Sequence, residues 1–210
     1  MKLYVYDHCP FCVRARLAFG LKGMPFDLGI ILEGDAETPT KMIGKKMVPI
    51  LQKPDGSYMG ESLDIVAYMD AMGEPMFDDA GDTDLDAWGE RLSKVMGKLV
   101  IPRVAKSDLA EFATPEARAA FVQRKTAQMG DLDSYMADSD TYIAEVNDLL
   151  LELDELLEGR EEIGISDIKL WPLLRSLTIV DGLEFPQNVW EYMEDLSERG
   201  GVPLLFDHAM

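Results

Sequence analysis

The sequence predicts two domains of different class, a small α/β domain over residues 1–72 and an all-helical domain over residues 83–210. Three observations carry that division. Strand-like and helix-like patterns alternate only in the first 72 residues, and every later pattern is helical. Residues 73–82, from Gly73-Glu74-Pro75 to Gly81-Asp82, are rich in turn formers and charge and read as a linker. The charge also splits there. Of a net −19, residues 1–72 hold 8 Lys/Arg against 9 Asp/Glu, while residues 73–210 hold 12 against 30.

Leu3-Tyr4-Val5-Tyr6 is a short run of strand formers. From Pro10 to Lys22 the apolar residues Val13, Leu17, Ala18 and Leu21 share one helical face, and Gly23 stops the helix. Phe26 to Leu32 reads as a second strand. Thr38 to Ile43 reads as a short helix with Thr38 as its cap and Pro39 at its first position. Val48 to Leu51 is a third strand and Tyr58-Met59 a fourth, with Asp55-Gly56 between them as a hairpin signal. Glu61 to Met72 closes the unit as a helix. A βαβ unit followed by a hairpin and a helix is a thioredoxin-like pattern.

In the second domain, Asp84 to Leu99 reads as a long helix that Ile101-Pro102 breaks or kinks. Thr114-Pro115-Glu116 opens another with a cap and a first-position proline, running to about Met129. Asp140 to Leu157 is amphipathic and acidic. Ser166 to Val180 is mostly apolar and reads as buried, with Pro172 in its first turns. Asn188 to Arg199 is a last short helix before Gly200-Gly201.

No N-terminal stretch has the basic region, apolar run and small-residue site of a signal peptide, and no 18-residue apolar run suggests a membrane span. Two cysteines in 210 residues are no disulfide framework, so a reducing, cytoplasmic setting is expected. The acidic second domain argues against nucleic acid and anionic membranes as partners and reads as solvated helix faces. The near-neutral first domain can still accept an anionic ligand.

Cys9-Pro10-Phe11-Cys12 holds both cysteines, just after a strand and at the start of a helical pattern. That spacing fits dithiol–disulfide chemistry better than metal binding. A tetrahedral zinc site wants four ligands, and only His8 and His208 could add nitrogen, so no metal site is expected. A pair of this kind shared across a dimer could instead hold an iron–sulfur cluster. Cys9 sits at the helix mouth, where exposed N–H groups and the helix dipole lower a thiol's pKa to roughly 3.5–7.5. Cys9 is therefore the nucleophile, and Cys12, one turn in and more buried, the resolving thiol. Pro10 fits the first turn because its missing N–H had no partner there. His8 is adjacent, which does not make it a base, and it is expected to face solvent.

Val48-Pro49 begins a strand, where proline is tolerated. In a thioredoxin-like unit with an upstream Cys-x-x-Cys it reads as a cis proline beside the thiols. The Val48 backbone is then free to pair with an extended peptide or thiol substrate. Glu61-Ser62 opens a helix after Gly60. Alone it is a capping signal. Together with Cys9 and Val48-Pro49 it reads as a carboxylate site, in which the Ser62 hydroxyl and nearby N–H groups hold an α-carboxylate while Glu61 faces an α-amino group.

Taken together, Cys9-Pro10-Phe11-Cys12, Val48-Pro49-Ile50 and Glu61-Ser62 resemble a glutathione site. The opening Lys2-Leu3-Tyr4-Val5-Tyr6-Asp7-His8-Cys9-Pro10 and the segment Val48-Pro49-Ile50-Leu51-Gln52-Lys53 resemble the glutaredoxin-2 family, the large bacterial glutaredoxins shaped like a glutathione transferase. The resemblance extends to Asp35-Ala36-Glu37-Thr38-Pro39-Thr40, to Pro102-Arg103-Val104-Ala105-Lys106-Ser107 and weakly through Trp171-Pro172-Leu173-Leu174-Arg175, most of the chain. It implies a glutaredoxin domain, a helical transferase-like domain and a monomer.

The same resemblance implies a glutathione-dependent thiol–disulfide oxidoreductase with glutathione as co-substrate and no tightly bound cofactor. Its partners are disulfide-bearing or glutathionylated proteins and, indirectly, a glutathione reductase system. Phe11, Val48, Pro49, Glu61 and Ser62 would then touch glutathione, Val48 at its cysteinyl part and Glu61 and Ser62 at its γ-glutamyl end. Lys45 or Lys46 either meets the glycine carboxylate or is a plain surface lysine. Phe11 stands where these proteins often carry tyrosine, which removes a hydroxyl near the thiols. Gly164 stands where transferases carry a Ser/Thr cap three residues before a buried Asp, here Asp167, and glycine is a weaker cap. A transferase acting on electrophiles shares the fold and the site, but a resolving Cys12 argues against it.

Overall fold

The computed structural model describes residues 1–77, 80–160 and 162–210. Two residues of the expected 73–82 linker, 78 and 79, lie outside these. The first domain runs β1 (Lys2–Val5), α1 (Pro10–Leu21), β2 (Asp27–Ile30), α2 (Glu37–Ile43), β3 (Ile50–Gln52), β4 (Tyr58–Met59) and α3 (Ser62–Asp70). Its sheet has the order β2-β1-β3-β4, with β1 parallel to β2 and antiparallel to β3. β1 alternates, so Leu3 and Val5 point into the core. The β3–β4 hairpin turns at Gly56, whose φ of 85° favours glycine, and the Asp55 carboxylate accepts the Ser57 N–H at 2.9 Å.

Three boundaries differ from the sequence reading. The α2 cap is not Thr38: the helix opens at Glu37, and the Asp35 carboxylate accepts the Thr38 N–H at 3.0 Å. Asp35 is thus the residue that meets the orphan donor. Val48 and Pro49 stand before β3, because a residue without N–H leaves the ladder a donor short; the peptide between them is cis. Glu61 lies just outside α3 with φ of 65°.

The second domain holds α4 (Thr83–Lys106), a 3-10 turn (Ala110–Phe112), α5 (Pro115–Met129), α6 (Leu132–Ala137), α7 (Ser139–Leu157), α8 (Ile165–Leu177) and α9 (Gln187–Gly200). Pro102 neither breaks α4 nor ends it. Pro102 and Arg103 are buried there, and the Arg103 Nη1 donates to the Leu99 carbonyl at 2.9 Å, so packing and a side-chain bond hold the turn that carries the proline. The sequence reading missed α6, a segment of six residues capped by Asp131. Thr114 caps α5 as expected, accepting the Ala117 N–H. At the start of α8, Gly164 has no side chain to offer, but the Asp167 carboxylate accepts its N–H at 2.8 Å and is itself held by Arg160 and Tyr192.

Two apolar clusters form the core. One lies within the helical domain. The other surrounds Leu3, Val5, Cys12, Leu17 and Ile65 and takes in Ile168, Trp171, Leu196 and Val202 from the helical domain. α1 packs on both α8 and α9. Its contact with α9 is close enough that a Cβ on Gly20 would stand 1.8 Å from the Gly200 carbonyl oxygen.

Candidate active site

Cys9 is the N-cap of α1, with extended backbone (ψ 116°) and Pro10 following it in the first turn. Its carbonyl accepts the Val13 N–H at 3.0 Å, which starts the helix. Cys9 is partly exposed and Cys12 wholly buried, and both are free thiols. The Cys9 pKa is lowered to about 6. The hydrogen bond from Cys12 is the main cause; burial opposes it, while His8 and the N–H groups of Cys12 and Phe11 add to it. Burial, followed by the nearby Cys9 sulfur, pushes Cys12 the other way, well above an ordinary thiol. The helix start therefore makes one thiolate and keeps the second sulfur protonated behind it.

Phe11 is 52% exposed, and the Arg14 guanidinium lies over its ring at 4.7 Å. Cys9, Phe11 and Val48 form one wall of a cleft of about 520 Å³ between the domains. Met96, Val100, Ile101 and Val104 of α4 line the other, and Lys46, Arg124 and Lys125 bring positive charge to it. Val48 makes no backbone hydrogen bond within the chain among the described residues. Pro49 is buried behind it. Glu61 and Ser62 do not line this cleft. Ser62 is buried in the first turn of α3, and the Glu61 carboxylate pairs with Lys45 at 2.8 Å. A Cβ at Gly60 before them would stand 2.6 Å from the tip of the Met47 side chain, which would have to move.

The expectation that His8 faces solvent is corrected. Its side chain is 11% exposed. The ring stacks with Tyr6 and Phe112 and meets Phe121 edge-on. Glu111 takes both the His8 N–H, at 2.8 Å, and Nδ1, at 2.6 Å. These partners from the helical domain close over His8 because the 3-10 turn and α5 pack there.

Over its full length the chain is 43% identical to glutaredoxin 2 of Escherichia coli (strain K12), with 100% of both chains covered. It belongs to the glutaredoxin 2 family. Residues 84–209 match the family described as Glutaredoxin 2, C terminal domain, and residues 3–74 match Glutathione S-transferase, N-terminal domain. Glutaredoxin 2 from Salmonella typhimurium, solved in complex with glutathione, superposes with a TM-score of 0.97 at 42% identity, covering 100% of this chain and 98% of that one. Glutathione transferase GSTFuA3 from Phanerochaete chrysosporium shares the fold at 16% identity, with a TM-score of 0.73 and coverage of 94% and 96%.

In this glutaredoxin 2 fold, several residues near the thiols escaped the sequence reading. Arg175 of α8 is wholly buried. It donates to the Asp7 carbonyl at 2.8 Å, to the Asp7 carboxylate at 3.0 Å and to the Pro203 carbonyl at 2.7 Å. Arg16 also pairs with Asp7. Burial lowers the Arg175 pKa to about 10. An arginine in the mostly apolar stretch Leu170–Leu177 was the available signal. Glu33, Glu111, Arg124 and Lys125 left none, because nothing local tells them from surface charges. Among the described residues, no group of three or more His, Cys, Asp or Glu is placed to hold a metal ion.

Proposed function

We propose that Cys9 is the nucleophile of the glutathione-dependent thiol–disulfide oxidoreductase reaction that goes with membership of this family. The observation that carries the assignment is the pair of unequal thiols at the start of α1: Cys9 reachable and acidified, Cys12 buried and protonated. The Cys9 thiolate attacks one sulfur of a disulfide. A Cys9–S–S bond forms, the substrate S–S bond breaks, and the departing thiolate takes a proton. With a protein disulfide, Cys12 gives up its proton and attacks Cys9, releasing the second substrate thiol and leaving a Cys9–Cys12 disulfide. With a glutathione mixed disulfide, the first exchange leaves glutathione bonded to Cys9; a free glutathione thiolate then attacks the glutathione sulfur of that bond, and the Cys9 thiolate departs, giving glutathione disulfide and the reduced enzyme. Glutathione also reduces the Cys9–Cys12 disulfide in two such exchanges.

The proposed glutathione contacts are Phe11, Val48, Pro49, Glu61 and Ser62. The unpaired Val48 backbone supports a role at the cysteinyl part of glutathione, and the N-terminus of α3 supports Ser62 as a carboxylate site. Lys46 is the better candidate for the glycine carboxylate: it lines the cleft, whereas Lys45 is engaged by Glu61. The division into residues 1–72, 73–82 and 83–210, a cytoplasmic monomer, and disulfide-bearing or glutathionylated proteins as targets complete the reading. Among the described residues no helix is long and apolar enough to cross a membrane.

The test is Cys9→Ser in reduction of a glutathione mixed disulfide, with glutathione and a glutathione reductase couple. Activity is expected to fall to background, and retained turnover would sink the assignment. Cys12→Ser is expected to keep this activity and lose the one-enzyme resolution of protein disulfides.

A further inference from the structure

Glu111 is a wholly buried carboxylate that the exchange chemistry leaves unused. It sits in the turn Ala110–Phe112 of the helical domain, 103 residues from His8. One of its oxygens nevertheless meets His8 at two points, the backbone N–H and ring Nδ1. The other oxygen, Oε2, is buried with no hydrogen-bond partner among the described residues. A carboxylate kept from water with half its acceptors empty is costly. Packing does not require it, since Phe112 and Phe121 already enclose the His8 ring. What the carboxylate grips is the residue bonded directly to Cys9.

We propose that Glu111 is a positioning residue for Cys9: by holding His8 at its backbone N–H and at ring Nδ1, the helical domain fixes the residue bonded directly to Cys9 and the orientation of its imidazole. The proposal rests on Cys9 being the nucleophile. His8 is not a general base here. Its Nδ1 faces Glu111 and its Nε2 faces Glu33 at 3.9 Å, so each ring nitrogen is turned to a carboxylate. Its influence on Cys9 is electrostatic, through the space between ring and sulfur. The charged and titratable groups around the ring come from five elements: Tyr6 at the end of β1, Cys9 and Cys12 of α1, Glu33 after β2, Glu111, and Arg124 and Lys125 of α5. Arg124 is paired with Glu33 at 2.7 Å, which leaves Glu111 to His8.

The sign of the effect separates this role from that of an ordinary buried charge. The negative charge of Glu111 by itself disfavours a second anion at Cys9. If that were all, Glu111→Gln would make Cys9 more acidic. If Glu111 acts by holding His8, the same substitution makes Cys9 less acidic.

The rate of Cys9 alkylation by iodoacetamide, followed from about pH 4 to about pH 9 in the fully reduced protein, reads the thiolate without turnover. Mass spectrometry confirms the labelled residue. The unaltered chain is expected to show a midpoint near about 6; if Cys9 has no such acidic wave, the nucleophile assignment fails before this proposal is reached. In Glu111→Gln the rate near pH 6, relative to its own plateau, is expected to fall about fivefold as the midpoint rises. His8→Gln is expected to do the same, and the double variant no more than His8→Gln alone. If Glu111→Gln does not fold, Glu111→Asp takes its place: it keeps the charge, withdraws it from His8 and is expected to lower the rate about twofold. An unchanged or acid-shifted profile in the Glu111 variant overturns the proposal, as does an additive double variant or a His8→Gln protein with an unaltered profile.

Discussion

Cys9 and Cys12 are one helical turn apart and chemically opposite: short-range partners lower the Cys9 pKa while burial raises that of Cys12. The Cys12 hydrogen bond is the largest influence on Cys9. In Cys12→Ala the Cys9 alkylation midpoint is therefore expected to climb from about 6 toward that of an ordinary thiol, while the plateau rate at high pH is kept. The same lowered value fixes the pH dependence of the Cys9 attack step. Above about 6 the thiolate predominates and that step is flat; below it the thiol is protonated and the rate is expected to fall about tenfold per pH step, as the single-turnover rate of the reduced enzyme with a disulfide substrate and no free glutathione will show. At this scale the sequence was legible where chemistry is local. Cys9, Pro10 and Cys12 share one turn, so their spacing alone carries their geometry. Glu111 and Arg175 were not legible, because the groups they hold lie 103 and 168 residues away along the chain.

At the scale of elements, periodicity located the long helices, and misreadings gathered where tertiary contacts override a local signal. Pro102 reads as a break or a kink, yet α4 runs past it with Pro102 and Arg103 buried. α6 was missed because six residues make fewer than two turns, too short a window for the Leu132, Tyr135 and Met136 spacing to set a period. Helix packing yields two expectations. α1 and α9 meet backbone to backbone at Gly20 and Gly200, so Gly20→Ala has to force them apart. The cost is expected to be about 1–3 kcal/mol, read as a Tm lowered by roughly 2–4 °C per kcal/mol. Arg175→Met removes the cation that ties α8 to the segment entering Cys9. It strands the Asp7 and Pro203 carbonyls, and a loss of about 3 kcal/mol in urea unfolding is expected.

At the scale of the whole molecule, the composition break at 73–82 suggests two bodies, whereas the packing joins them. Ile168, Trp171, Leu196 and Val202 complete the apolar cluster of the first domain, and no periodicity could assign them to it. Unfolding is accordingly expected to be one cooperative event. All three tryptophans, Trp88, Trp171 and Trp190, lie in the second domain, whereas Cys12 lies in the first. Tryptophan fluorescence and Cys12 reactivity toward a thiol reagent should therefore give the same urea midpoint; separated midpoints would refute the single event. The glycine contact between α1 and α9 also bears on how such chains can be recombined. A hybrid carrying the first 77 residues of this protein on the helical portion of a relative would inherit Gly20 whatever its partner. The donor would have to present glycine opposite it and an indole beneath α1, so sequence exchange between relatives is constrained at the far end of α9, well away from the natural seam.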